Sequence, residues 1–145
     1  RRLNEDPAFR EKFCPGEKQS ITLWYSILQG SRVVASHPVA SWHEDRGGSV
    51  PGSRARFHVT PDDRLFVLYY VKQPVAENRI VEILPGGSIG ESVKIPLETP
   101  VPRIFTAGQR FGSAPSYYID LIGDTRQDWP KGGTIRYARI RLETK

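Results

Sequence analysis

Turn-forming residues interrupt this chain from end to end. Twelve prolines and 13 glycines are spread in short clusters, among them Cys14-Pro15-Gly16 and Pro85-Gly86-Gly87. Proline fixes φ and removes a backbone donor, and glycine supplies positive φ, so frequent turns suit an all-β fold better than a helical bundle. The most legible stretch between breaks is RFHVTPDDRLFVLYYV, residues 56–71. Two alternating runs flank residues 61–64, the pattern of a β-hairpin. Alternation puts Arg56, His58 and Thr60 on one face of the first strand and Phe57 and Val59 on the other. Arg56 and His58 are either ordinary polar residues on a wet face or the lining of a site.

Ahead of the strands, Asp6-Pro7 fits a helix cap followed by proline at the first helical position, and residues 8–13 give a turn or two of helix. Residues 1–18 are therefore an N-terminal segment apart from the rest. Strands are expected over residues 21–28, 32–35, 56–60, 65–71, 79–84, 92–97, 103–107, 117–122 and 134–142. Residues 43–55, HEDRGGSVPGSRA, read as a polar, Gly-rich loop.

At 145 residues the chain is about one ordinary domain. Its net charge is +5, with no run of four or more Lys or Arg and with acidic residues interleaved. Scattered basic charge of this kind suits a solvated surface or an acidic polysaccharide; without an RNP-like signature, no nucleic-acid partner is expected. Cys14 is the only cysteine, so there is no internal disulfide and no Cys-based metal motif. His37 and His43 have no second histidine at ligand spacing, and GGSIGE (86–91) has no following Lys-Ser/Thr. No metal and no cofactor are expected. The longest apolar run, residues 65–71, is far too short to span a bilayer as a helix, and no membrane partner is expected. The absence of methionine and the opening Arg1-Arg2 suggest a processed chain or a piece of a longer one.

A repeat runs through the strands. Tyr25, Tyr70 and Tyr118 sit in aromatic-centred strands 45 and 48 residues apart. The second and third are preceded by RFHVT (56–60) and RIFTA (103–107) and followed by RIVEI (79–83) and IRYARI (135–140). An Arg strand, a Tyr strand and an Arg strand recurring every 40 to 50 residues is the spacing of four-stranded propeller blades. RFHVTPDDRLFVLYYV, ENRIVEI, RIFTAGQRFGSAPSYYIDLIG and IRYARIRL together resemble the sialidase-like (BNR-repeat) β-propeller proteins of environmental bacteria, over about residues 19–142. The box Ser-x-Asp-x-Gly-x-Thr-Trp is absent; Thr60-Pro61-Asp62-Asp63 resembles only its turn. The resemblance implies an all-β chain of about three four-stranded antiparallel blades, near residues 19–52, 53–100 and 101–145, forming the C-terminal portion of an exported propeller. A self-contained β-sandwich is the alternative.

Three blades leave two apolar faces bare. At about 500 Å² each, about 12 kcal/mol per face is forgone at about 25 cal/mol/Å². The expected partner is therefore more polypeptide, either the remaining blades of the same precursor or copies of this chain.

The first strand of each blade lines the channel, so Arg56 and His58 are expected to face the axis while Phe57 and Val59 grip the neighbouring blade. Arg56, Arg79, Arg103 and Arg136 begin strands and suit the carboxylate of an acidic sugar, held by paired hydrogen bonds. His58, Tyr70 and Tyr118 are the candidate proton-transfer residues, and Trp42 and Trp129 the candidate stacking platforms. The functional expectation is a secreted, periplasmic or cell-surface protein that binds an acidic polysaccharide. Cleavage, by a polysaccharide lyase or a glycoside hydrolase, is left open by the residues. The alternative is a non-catalytic structural subunit of an extracellular assembly or fibre.

Overall fold

A computed structural model describes residues 6–106, 114–125 and 134–143. Among these residues one helix, α1 (Pro7–Phe13), precedes ten strands. Asp6 caps it, its carboxylate accepting the N–H groups of Ala8 and Phe9 at 3.1 and 3.2 Å, and Pro7 stands in the first turn where no N–H is needed. None of its residues is buried. Its anchor is Arg10, whose guanidinium donates to both Glu44 carboxylate oxygens at 2.9 and 3.3 Å, while Glu44 also accepts the Gln19 N–H at 3.0 Å.

These contacts, the Gln19 N–H first and the Arg10 guanidinium next, hold the Glu44 carboxyl below the usual carboxylate range. A lowered folded-state pKa means the contact is present above the ordinary carboxylate pKa and is lost as pH falls through the lowered one. Glu44→Gln is therefore expected to speed proteolytic cleavage around α1 at neutral pH while leaving the β-sheets protected. The wild-type chain should show the same loosening only on acidification below the ordinary carboxylate range. Limited proteolysis with mass detection checks both. Equal α1 cleavage in variant and wild type at neutral pH overturns the anchor.

The strands form three antiparallel sheets, all open. The first holds β1 (Ser20–Gln29), β2 (Arg32–His43) and β3 (Gly47–Gly48) in that order. The central sheet is a meander of β4 (Val50–Val59), β5 (Leu65–Gln73), β6 (Glu77–Ile83) and β7 (Ile89–Lys94). The third holds β8 (Arg103–Thr106), β9 (Tyr118–Asp124) and β10 (Ile135–Arg141), with β9 in the middle. Among the described residues the chain is thus all-β apart from α1.

Three details depart from the sequence expectation. Four-stranded blades were expected, but among the described residues only the central sheet has four strands and the other two have three each. The region 43–55 is not one loop: β2 runs on to His43, β3 pairs with it through Trp42 and His43, and β4 already starts at Val50. The close pass is possible because a Cβ on Gly48 would lie 2.4 Å from the Ser41 carbonyl oxygen. β2 also continues through Pro38, which stands at a register shift opposite Trp24. There β2 has no second neighbour, so the absent N–H is tolerated as on an edge strand.

The near-continuous apolar run of β5 is explained by burial on both sides. Val67, Tyr69 and Val71 pack with Val81, Ile83 and Tyr25 in a core shared with the first sheet. Leu68, on the opposite face, packs with Ile95, Val101, Ile104, Ile119 and Leu121 in a core shared with the third sheet. The central sheet is therefore covered on both faces. The backbones of different layers come close at β4, which approaches β1, β2 and β8, and the Tyr25 hydroxyl donates to the Gly87 carbonyl at 3.2 Å in the turn between β6 and β7.

The repeat maps in order onto two sheets: RFHVT and RIFTA fall on β4 and β8, the two Tyr strands on β5 and β9, and the following Arg strands on β6 and β10. In the first sheet Tyr25 instead stands on the first strand.

The outer walls are bare. Register places Trp24, Leu28 and Val33 on the outer face of the first sheet, each 55–62% exposed. Tyr118, Ile122, Ile135 and Tyr137 lie on the outer face of the third, each 46–73% exposed.

Candidate anion-binding surface

β4 and β8 are edge strands that approach each other, and the side chains between them form the most distinctive cluster of the structure. The guanidinium carbons of Arg54 and Arg56 stand 5.4 and 5.3 Å from the ring centroid of Phe105 on β8. Stacking of this kind is worth about 0.5–2 kcal/mol per cation, depending on solvation, and holds both groups in place. Arg56 also donates to the Ala55 carbonyl at 3.0 Å. Arg103 precedes Phe105 by two residues and shares its face, so a third guanidinium emerges on this side. Beside Phe105, a shallow groove of about 180 Å³ is lined by Ile122, Gly123, Asp124 and Ile135.

A half-exposed aromatic plate flanked by arginines offers a sugar ring something to stack on and its carboxylate or sulfate something to bond to. Arginine suits this role because its planar fork matches an oxyanion pair and stays charged at any relevant pH.

Of the residues anticipated from sequence, the structure brings Arg56 and Arg103 together here. The others lie elsewhere. His58 is buried, its Nε2 2.7 Å from the Ser116 carbonyl oxygen, and so faces the third sheet. Phe57, expected to grip a neighbour, is 56% exposed; Ala55 packs against the first core instead. Tyr70 is buried on β5, and burial pushes its hydroxyl pKa up, so it remains protonated at neutral pH. Tyr118 lies on the outer wall with the Arg139 guanidinium 5.9 Å from its ring. These three do not converge on a common reacting position.

Arg79 is fully engaged, pairing with Glu77 and donating to the hydroxyl and carbonyl of Ser92 at 2.8 and 2.7 Å. Arg136 shares no face with Phe105; register puts it opposite Gly123, and it stands 3.9 Å from Glu98. Trp42 is half-buried where β1, β2 and β3 meet. Trp129 lies outside the described residues.

Arg54 and Phe105 were not singled out by sequence. Arg54 fell in the supposed loop 43–55. The alternation of RIFTA could have flagged Phe105, since it shares a face with Arg103.

A second polar cluster occupies the outer face of β9 and β10. Asp120 accepts from Arg139 at 2.7 and 3.2 Å and from the Tyr137 hydroxyl at 2.5 Å. These bonds, Arg139 first, lower the Asp120 pKa, and the same carboxylate raises that of Tyr137. The charges are satisfied within the wall. A larger cleft of about 590 Å³ between the first and central sheets is lined by Tyr25, Asp62, Asp63, Arg64 and Glu82. Its arginine is already committed, since Arg64 donates to both Glu82 oxygens at 2.8 and 2.9 Å.

Among the described residues no group of three His, Cys, Asp or Glu is placed to hold a metal ion, and no helix is long and apolar enough to cross a membrane. No family model matches the chain, and no curated protein or solved structure is significantly similar to it.

Proposed function

We propose that the chain is a three-sheet sector of a sialidase-like β-propeller, acting outside the cytoplasm, that binds an acidic polysaccharide along the β4–β8 edge. The observation that carries this reading is the stacking of Arg54 and Arg56 on the half-exposed ring of Phe105, with Arg103 on the same face. The approach of β4 to β1 and β8, the first strands of the flanking sheets, supports the propeller form, because the first strands of blades converge on the axis. Among the described residues no pair of acid and base side chains converges at this edge, and the reading is confined to binding.

Calorimetry against polygalacturonate, heparin and neutral dextran tests the proposal. The anionic polymers are expected to bind, with affinity falling as salt rises, and dextran is not. Arg54→Ala with Arg56→Ala removes two charge-assisted contacts of about 1.5–3 kcal/mol each, so affinity should fall at least 100-fold. No binding to either anionic polymer, or binding indifferent to the double substitution, overturns it.

A second reading is favoured by the two bare walls: a structural subunit of an extracellular assembly, with the arginine edge contributing nothing. It predicts self-association without affinity for anionic polymers.

A further inference from the structure

We propose that the cleft between the first and central sheets is a binding site for a small organic amine, an apolar body carrying an ammonium head. The body lies on Tyr25, Ile27, Leu65 and Ile83, and the ammonium is held at the mouth by the carboxylates of Asp62 and Asp63. At about 590 Å³ the cleft has the size of a small-molecule pocket, about 300–1,000 Å³. Its floor belongs to the first core: Tyr25 and Ile83 are buried, and Ile27 and Leu65 pack against them half-buried.

The shape is held without a ligand. The Tyr25 hydroxyl, donating to the Gly87 carbonyl at 3.2 Å, ties the β6–β7 turn to β1. The Arg64 guanidinium donates to both Glu82 oxygens and joins the start of β5 to β6. In the β4–β5 turn the Thr60 hydroxyl donates to Asp62 Oδ1 at 2.5 Å and accepts the Arg64 N–H at 3.2 Å. A cleft braced at these three places offers its floor without having to be ordered on binding.

The sign of the mouth selects the ligand. The chain carries +5 in all, yet Asp62, Asp63 and Glu82 line the cleft beside a single guanidinium, that of Arg64. Arg64 and Glu82 cancel each other, which leaves Asp62 and Asp63, adjacent and exposed. Asp62 is bonded to a hydroxyl and feels Arg64 only at longer range, and the Asp63 carboxylate has no partner among the described residues. Two neighbouring carboxylates repel a further anion and accept N–H bonds from an ammonium, which has three donors to share between them.

Among the described residues no further His, Cys, Asp or Glu joins them to make a metal site. A metal ion would also use the rim alone, whereas an organic cation uses the rim and the apolar floor together. The cleft shares no lining residue with the Phe105 groove and has the opposite sign, so the proposal does not depend on polysaccharide binding.

Titration of the isotope-labelled chain, followed by backbone amide NMR shifts, is the test. Three probes share one indole ring and differ in charge: tryptamine, neutral tryptophol and anionic indoleacetate. Tryptamine is expected to shift the amides of Leu65, Ile83 and Gly87 with a Kd of about 1 mM or below, the affinity of a compound of about a dozen heavy atoms. Tryptophol should bind about tenfold more weakly, and indoleacetate should leave those amides unmoved. Asp62→Asn with Asp63→Asn should bring tryptamine down to the affinity of tryptophol. Asparagine keeps an acceptor for the Thr60 hydroxyl and tolerates the left-handed backbone at residue 63, so the fold is retained. No shift of these amides by about 10 mM tryptamine overturns the proposal. So does equal binding of tryptamine and tryptophol, or a tryptamine affinity indifferent to the double substitution.

Discussion

Replacing Asn78 by alanine is expected to lower the unfolding free energy by about 3 kcal/mol, read as a fall of about 6–12 °C in Tm for a chain of this size. Asn78 is 1% exposed on β6, and its side chain clamps both backbone polar groups of Val101, outside the strand ladders. Nδ2 donates to the Val101 carbonyl at 2.9 Å, and Oδ1 accepts the Val101 N–H at 2.7 Å. Its own carbonyl accepts the Ile95 N–H at 2.8 Å. The segment that carries the chain from the central sheet to the third is thus bonded to Asn78 at two places, in addition to the packing of Ile95 and Val101 in the second core. Alanine leaves both polar groups of Val101, itself 1% exposed, without their partner; each orphaned group costs about 1–3 kcal/mol. Asn78→Asp retains the acceptor but loses the donor and brings a charge into the core, so it should be at least as damaging. Denaturant unfolding measures both. A loss below about 1 kcal/mol for the alanine variant means that the segment is held by other contacts.

How much of this was legible beforehand depended on what decides each feature. The β-character, the helix cap at Asp6 and the order of most strands follow from local chemistry, and local chemistry is written in the sequence: Pro and Gly at turns, alternation between them. Asp63 is a small example. It stands where glycine is usual and takes the left-handed conformation, φ 58°, that Asn and Asp tolerate best among side chains. The double burial of β5 was hinted at by its unbroken apolar run.

Which face of β4 is wet was not legible. Alternation sorted Arg56 and His58 from Phe57 and Val59 correctly but could not say which set meets a neighbour. That depends on where β8 and Ser116 lie, some 50 residues later. For the same reason the arginines separated. A strand-initial arginine looks alike in all four cases, yet Arg79 is taken up by Glu77 and Ser92 whereas Arg56 is stacked on Phe105. The bare walls were foreseeable as an amount of apolar surface, and their composition emerged only with the register.

Gly123→Ala should match or exceed the effect of Asn78→Ala, and it reaches the candidate site as well. A Cβ at Gly123 would lie 1.9 Å from Val101 Cγ1 and 2.7 Å from the Arg103 carbonyl oxygen, both inside contact distance. Two neighbours must move, one of them backbone, and overpacking of this kind costs about 3 kcal/mol. Val101→Ala removes the nearer clash but not the second, so the double variant should recover about 1 kcal/mol, a coupling that a double-mutant cycle resolves.

The backbone clash bears on function. Gly123 on β9 pairs with Ile104 on β8, between Arg103 and Phe105. Pushing the Arg103 carbonyl away displaces the strand that presents both the third arginine and the aromatic plate. Affinity for polygalacturonate, measured well below Tm where each variant is folded, should therefore fall about tenfold in Gly123→Ala, the equivalent of about 1.4 kcal/mol, and stay within about twofold of wild type in Asn78→Ala. Equal affinities in the two variants would mean that β8 absorbs the added methyl without moving, and that Phe105 and its arginines are set by β4 alone.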